Sequence, residues 1–359
     1  DLTPGEANVG PVEVPVVINE IMPDPPYGSR LGEFVELFNH GSTSQDLSGA
    51  RFDEGIQFTF PDDFWLEAGA YVVLVGERSW FREAYPHIEP VFDYKGRLSN
   101  DGERLRLVSA NGNLIDQVDY RVEGDWPKRA AGRGSSLELV HPRAPNRWSS
   151  AWRDSNETRK APFRSFEFRG QYQEVARMGE VSDYRELHFY LVGESHVVLR
   201  NIELIDVDSG RNLLSGRLRR SVDAYGDDGG WLIQGNHADS FVEGNRLHLI
   251  AHGHGDNRAN RAEIDVPGLR PGRDYVLRFE ARWVAGSPRL IAHTWDHSFG
   301  TSLQLEVPSR LGTPGKANTS LRTSVPPLLE GLAHTPTVHA PGEPVKVSVS
   351  IPIGEASHV

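Results

Sequence analysis

The stretch Leu98–Tyr120, LSNDGERLRLVSANGNLIDQVDY, decides the fold class. It reads as two strands around an Asn-Gly bend, because a short polar bend carrying glycine between apolar alternating runs returns the chain against itself. The same texture continues on both sides. VPVVINEI (14–21), GEFVELFN (32–39) and AYVVLVGE (70–77) are short β-branched or aromatic runs, and DLSG (46–49) is a turn. No stretch keeps an i, i+3, i+4, i+7 apolar pattern over three turns, although ERSWFREAY (77–85) is predicted to form a short helix. Composition agrees. Gly 36 and Pro 24 among 359 residues, with an apolar share of 38%, suit many short strands joined by tight turns, so the chain is read as all-β. Single cores seldom grow past roughly 250 residues, which points to two or three domains.

Charge and missing residue types exclude whole classes of chemistry. Lys+Arg 38 against Asp+Glu 50 gives a formal net charge of -12, which lacks the basic footprint of backbone-driven nucleic-acid binding. With Cys 0 there are no disulfides, thiolate zinc sites or cysteine nucleophiles. No run approaches the ~18 consecutive apolar residues of a membrane span, so no membrane insertion is expected in this segment. The opening residues DLTPGEANVG carry no basic start followed by an apolar stretch. They read as a piece of a longer, processed polypeptide.

In order, VINEIMPDP, GEFVELFN, DLSGARF, FTFPDDFWLEAGAYVVLVGE, LSNDGERLRLVSANGNLIDQVDY, DWP, GRGSSLELVHP and AWRDS give residues 14–160 a run of motifs that resembles a bacterial lamin-tail domain. The resemblance implies an immunoglobulin-like β-sandwich. It also implies an accessory module of a secreted bacterial protein, often beside spore-coat-protein-H-like kinases, nucleases or other hydrolases. A second block, residues 161–310, alternates apolar and polar residues in ELHFYLVG, SHVVLRNIELID, NRLHLIAH, RDYVLRFEARW and SPRLIAHTW. Its pieces NLLSG, GGWLIQG, GLRPGRDYVLRFEARW and VVLRNIEL are similar to galactose-binding-like jelly rolls, the fold of many carbohydrate-binding modules. The strand resembling a jelly roll's last one (197–204) precedes NLLSG, which resembles its first, so the resemblance implies a circularly permuted domain.

Thr3-Pro4-Gly5-Glu6-Ala7-Asn8 recurs with one change as Thr313-Pro314-Gly315-Lys316-Ala317-Asn318. Proline fixes φ and glycine supplies a left-handed bend, so the two copies are read as inter-module tethers, residues 1–13 and 311–324. Residues 325–359 contain PVKVSVSI, an alternating strand, and are read as the first strands of a further immunoglobulin-like or fibronectin-like domain. Between the two main blocks, Trp148 and Trp152 predict a fixed junction, because paired exposed indoles would form a costly apolar patch.

Three constellations bear on chemistry. His252-Gly253-His254-Gly255-Asp256 is close to a His-x-His-x-Asp-His zinc signature, but Asn257 replaces the last histidine and no helix-and-strand scaffold surrounds it. A jelly-roll calcium site is disfavoured because Arg219, Arg200 and Asn201 fall where acidic ligands are expected, unless Asp223, Asp227 and Asp228 rebuild one. Neither a metal nor a cofactor is therefore expected. The third constellation follows from strand parity. His188 and Tyr190, His248, the trio Arg278, Glu280 and Arg282, and His293 with Trp295 all fall on non-core faces. If their strands share one sheet, they form a field of imidazole, guanidinium, carboxylate and indole suited to a glycan. Trp231 and Trp283 are assigned to the core.

Glu33 and Glu36 point to opposite faces of one strand and do not form an acid and base pair, while Glu20 is read as bonding a backbone turn. No nucleophile elbow, phosphate loop or dinucleotide fingerprint is present. The sequence thus reads as a non-enzymatic segment of a large extracellular or cell-surface bacterial protein, recognising polysaccharide or cell-surface glycan. One alternative is a purely structural rod or surface-layer element that contacts neighbouring domains or surface-assembly proteins. Another is the accessory region of a kinase-like or hydrolytic enzyme whose catalytic domain lies elsewhere.

Overall fold

The protein is seen here as a computed structural model that describes residues 14–26, 30–174, 184–222, 228–252, 260–325, 330–335 and 346–350. Its first part runs β1 (Val16–Met22), β2 (Phe34–Asn39), β3 (Gln45–Asp46), β4 (Arg51–Glu54), β5 (Phe58–Thr59), β6 (Trp65–Leu66), β7 (Tyr71–Val75), α1 (Arg78–Ala84), β8 (Val91–Asp93), β9 (Arg104–Val108), β10 (Leu114–Asp119), β11 (Leu137–Leu139) and β12 (Trp152–Asp154). A six-stranded sheet, β12-β11-β1-β2-β7-β8, and a four-stranded sheet, β10-β9-β4-β5, make the sandwich, and β3 pairs with β6. The decisive hairpin forms as read: β9 and β10 are antiparallel, and Gly112 at φ 81 turns the chain between them. Ile18, Ile21, Val35, Leu37, Val72 and Leu74 meet Phe52, Leu105, Leu107 and Val118 in one core. Each such side chain removed from water contributes roughly 1.5–3 kcal/mol.

The second part runs β13 (Arg164–Gln171), β14 (Glu186–Leu191), β15 (Ser195–Asp206), β16 (Leu232–Gln234), β17 (Phe241–Glu243), β18 (Arg246–Ala251), β19 (Arg261–Asp265), β20 (Asp274–Gly286), β21 (Arg289–Thr294) and β22 (Gly300–Gln304). Two five-stranded sheets, β13-β20-β15-β18-β17 and β16-β19-β14-β21-β22, share a core that includes Trp231 and Trp283, as parity required. Phe189 of one sheet meets Phe279 of the other edge to face at 5.3 Å. In β15 a register shift between Arg200 and Glu203 lets both Leu199 and Leu204 face inward. An extra residue inverts the two-residue alternation downstream of it, and Asn201 there has φ 52. NLLSG departs from the strand expected of it. Asn212–Gly216 is a turn joined to β15 by an isolated bridge between Ile205 and Asn212. The Asn212 amide oxygen accepts from Leu204 N and Leu214 N, a local bonding pattern that competes with a ladder. Further on, β23 (Glu330–Thr335) and β24 (Lys346–Ser350) form an antiparallel pair.

The two sandwiches touch through a built junction. Gly286 N donates to Arg133 O at 2.8 Å, and Arg133 pairs with Glu194 at 2.5 Å. Trp152 is fully buried, but inside the first core, where its Nε1 donates to Asn146 O; Trp148 stays 43% exposed beside Arg147. The contact between the sandwiches rests on residues other than the indoles expected to make it.

The second hexapeptide copy is a docked strap. A bulge in β1 between Ile18 and Glu20 sends Asn19 and Glu20 to the same outer side of the six-stranded sheet. Register then aligns Glu36, Glu20 and Glu138 across three adjacent strands, all at 0% exposure. Like charges directly opposite one another repel, and burial compounds the cost. The strap supplies donors. Thr313 N donates to Glu20 at 2.7 Å, Gly315 N to Glu36 at 2.5 Å, and the Thr313 hydroxyl to Glu138 at 2.7 Å. Glu20 thus bonds a backbone turn as read, and Glu33, on the opposite face from Glu36, takes Tyr94 OH and Leu98 N instead. Asn318 exchanges amide bonds with Asn19 and donates to Leu139 O at 2.9 Å. Gly312, at φ 74, is a glycine because a Cβ there would lie 2.6 Å from Glu20 Oε1.

Burial first, and Glu138 second, push the Glu20 carboxyl from 4.5 up to about 8. Burial first and Glu20 second raise Glu36 well above the ordinary carboxylate range. A raised carboxyl favours the fold in its protonated form. Its contribution is full below about pH 4.5 and is lost as pH climbs toward 8. Glu20→Gln, neutral throughout, should therefore gain on the parent chain by about 3 kcal/mol or more between pH 5 and pH 8. Thermal melts of both chains at the two pH values check this, and a difference that stays constant with pH would contradict it.

Candidate ligand-binding face

The second sandwich divides the expected field in two. His188 and Tyr190 on β14 lie beside His293 on β21, with Trp295 just beyond it. His248 on β18, and Arg278, Glu280 and Arg282 on β20, stand on the outer face of the other sheet. The expectation of one shared sheet is corrected for a physical reason: two-residue periodicity gives the face a side chain takes, but not the partner its strand chooses.

On the β20 face the polar groups serve packing. Arg278 pairs with Glu167 at 2.6 Å, and Glu280 takes Arg200 at 2.5 Å and Asn201 at 3.2 Å. Arg200 and Arg282 lie over the Phe163 ring at 4.0 and 4.6 Å, which closes that part of the sheet. His248 is sandwiched by Phe241, 4.4 Å away and nearly parallel, and contacts His196 at 3.1 Å. Burial, with Arg129, His248 and Arg282 adding repulsion, brings the His196 imidazole down to about 3; burial also lowers His248. Both rings are neutral at pH 7.

On the β14 face the groups converge. His188, only 2% exposed, sits 2.7 Å from Glu186 and 3.7 Å from Glu263. Arg261 bonds Glu263 and lies 3.6 Å from Glu186, while the Gln234 amide donates to Glu263 at 2.9 Å. Burial raises the Glu186 carboxyl, with Arg261 opposing it. The ligand atoms of Glu186, His188 and Glu263 all lie within 4.8 Å of one another, close enough to grip a cation. The Arg261 guanidinium already supplies the compensating positive charge, so the residues fit a closed ion cluster better than a metal centre. Beside it, His293 Nε2 is 2.7 Å from Tyr190 OH, and His297 packs on His293 at 3.8 Å.

The turn after β21 displays the edge of this face. His297 holds φ 62, and the Asp296 carboxylate secures the turn by accepting from the Thr294 hydroxyl at 2.7 Å and Ser298 N at 3.1 Å. Left-handed backbone at a non-glycine residue is uncommon and collects at functional positions. Trp295 is partly exposed there, 5.5 Å from the Tyr184 ring, which is 61% exposed. Two aromatic surfaces thus border a cluster of imidazole, phenol, carboxylate and guanidinium.

Tyr184, Glu186, Arg261 and Glu263 stand outside the residues that sequence reading singles out, whereas His297 shares the spacing of His293 and Trp295. Glu186 was legible, since it shares parity with His188 and Tyr190. Glu263 was not, because only strand order brings it opposite His188. His252 N donates to Asn236 O at 3.1 Å, and the rest of the HGHGD motif lies outside the described residues. Asp223 and Asp227 lie outside them too. Asp228 caps its own loop, and bonds from Arg219 first and Gly230 N next hold its carboxyl far below the ordinary range.

A family model for the lamin tail domain matches residues 11–121. No curated protein matches the chain. The class defined by fold and match together is an all-β chain of sandwiches opening on an immunoglobulin-like module of the structural, protein-contact kind. The match covers most of the first sandwich; β11 and β12, which complete its six-stranded sheet, lie beyond the matched residues.

Proposed function

We propose that this chain is a non-catalytic recognition and spacing segment of an extracellular bacterial multidomain protein, and that the outer face of the β14–β21 sheet binds polysaccharide or cell-surface glycan. The carrying observation is the Trp295–Tyr184 pair at the edge of the His188, Tyr190 and His293 cluster. Flat aromatic faces cover the apolar C–H patches of a sugar, and the half-buried Tyr190 phenol and exposed His297 imidazole beside them fix its hydroxyls, with the buried ion cluster holding the face in place. The similarity of this block's sequence to carbohydrate-binding jelly rolls supports the same reading. A glycan array probed with the full chain should give a restricted set of positive spots, and Trp295→Ala should lose them. An array blank for the parent chain would overturn the proposal.

The rod reading is favoured by a different observation. The strap and the junction at Gly286 and Arg133 tie the two sandwiches at separate points, as a spacer requires. In that reading the contacts are with neighbouring domains or surface-assembly proteins, and the array stays blank.

A further inference from the structure

We propose that the outer face of the β20 sheet, at the end nearest the first sandwich, binds an oxyanion, a sulfate or phosphate group, among Arg282, Arg246, Arg159 and Arg129. This site is separate from the aromatic face on the β14 sheet and does not depend on it. Sheet register builds it. Arg282, Val198, His248 and Phe241 stand in one row across β20, β15, β18 and β17. Arg200 and Arg246 take the next row on the same face, and His196 the row before, because alternate residues of a strand share a face. Arg129 approaches from the first sandwich, close enough for its charge to act on His196. Arg159, on the chain leading out of that sandwich, acts on Arg282 together with Arg246 and Arg200.

The positive charges are not cancelled. Among the described residues, the acids nearby are engaged elsewhere: Glu280 holds Arg200 and Asn201, Glu194 holds Arg133, and Asp154 accepts from the backbone N of Arg129. Glu243 stands opposite Arg246 in register, but its carboxylate, 74% exposed, reaches only His248 Nε2, at 3.8 Å. Burial first, and then the fields of Arg246, Arg200 and Arg159, hold the Arg282 guanidinium below its ordinary range. A chain of formal net charge -12 thus sustains a local repulsion that an anion relieves. Orphaned nitrogens point the same way. Arg282 Nε, His196 Nδ1 and His248 Nε2 are buried and bond no protein atom among the described residues, while the inner nitrogens of the two rings meet at 3.1 Å. Buried polar atoms are nearly always bonded, so three exceptions beside one another call for a shared partner. The Phe163 ring, 4.6 Å from Arg282, fixes the plane of the guanidinium without neutralising it, and that planar fork matches two oxygens of a sulfate or phosphate. A hollow of about 420 Å³, lined by Arg200, Asn201, Glu243, Asn245 and Arg246, adjoins the row. It admits either a free ion or the same group esterified to a sugar, whose hydroxyls the two asparagine amides would meet.

Equilibrium dialysis of the full chain against labelled sulfate and labelled phosphate, with ionic strength held constant by NaCl, should show saturable binding of at least one of them. Arg246→Gln alters only an exposed side chain and should weaken that binding about tenfold or more, as should Arg282→Gln. Lys316→Gln, which removes an exposed cation on the strap, should bind like the parent. A singly sulfated or phosphorylated disaccharide, matching the ion that binds, separates the two sources: a higher affinity than that of the inorganic ion assigns the hollow to a sugar ester, and an affinity no higher assigns the site to the free ion. Saturable binding of neither ion by the parent, binding kept by either arginine variant, or an equal loss in Lys316→Gln overturns the proposal. Should Arg282→Gln fail to melt cooperatively, Arg246→Gln carries the test alone.

Discussion

Gly134→Ala should destabilise the full chain by about 2–4 kcal/mol and loosen the contact between the sandwiches. Gly134 holds φ 97, where an L side chain is strained, and a Cβ there would lie 2.3 Å from Trp283 Cη2. The indole cannot retreat. It is fully buried in the second core, and its Nε1 donates to Gly286 O at 2.9 Å. Gly286 is itself fixed, since its N–H bonds Arg133 O and its own Cβ would fall 2.1 Å from Glu194 O. One added methyl group must therefore displace either the loop around Gly134 or a rigid ring. Thermal melting together with protease cleavage across residues 155–163 reads the effect. A melting shift under ~1 °C with unchanged cleavage would show that the junction does not depend on this approach.

Glu138→Ala should release the strap and cost about 3 kcal/mol or more. Two effects oppose each other. Removing the carboxylate relieves repulsion on Glu20, for which Glu138 is the second cause of the raised carboxyl. It also orphans Thr319 N and hydroxyl and Ser320 N as donors and takes from the Thr313 hydroxyl its shorter bond, leaving only Glu20 Oε2 at 3.2 Å. Bonds to a charged acceptor contribute about 1.5–3 kcal/mol each, so losing several outweighs relief of one repulsion. Glu138→Gln keeps an acceptor oxygen while removing the charge, and should sit between parent and alanine. Hydrogen exchange at Thr319 and Ser320 reports the release. An alanine variant whose strap stays as protected as the parent's would put the anchoring elsewhere.

Strands, the short helix and the inward residues were legible because alternation is a local property. Tyr275, Leu277, Phe279, Ala281 and Trp283 all face the core as their spacing required, and so do Leu187, Phe189 and Leu191. What one strand meets across a sheet is set by register and strand order, and no single segment encodes those. That is why the carboxylate row went unseen. Glu33 and Glu36 are neighbours along one stretch of chain, whereas Glu36 faces Glu20 on β1, and Glu20 in turn faces Glu138 on β11. The same blindness merged the β14 and β20 faces into one field. The strap was half legible: its repeat and its turn residues were plain, but a turn that donates to buried acids looks in sequence like a turn that merely bends.

The most direct test of the recognition claim compares the two outer faces against one ligand. Affinity electrophoresis in the polysaccharide selected by the array should show Trp295→Ala weakened about tenfold or more, and Arg278→Ala, on the opposite sheet, migrating with the parent. Retardation lost in Arg278→Ala and kept in Trp295→Ala would move the site to the other sheet and contradict the account.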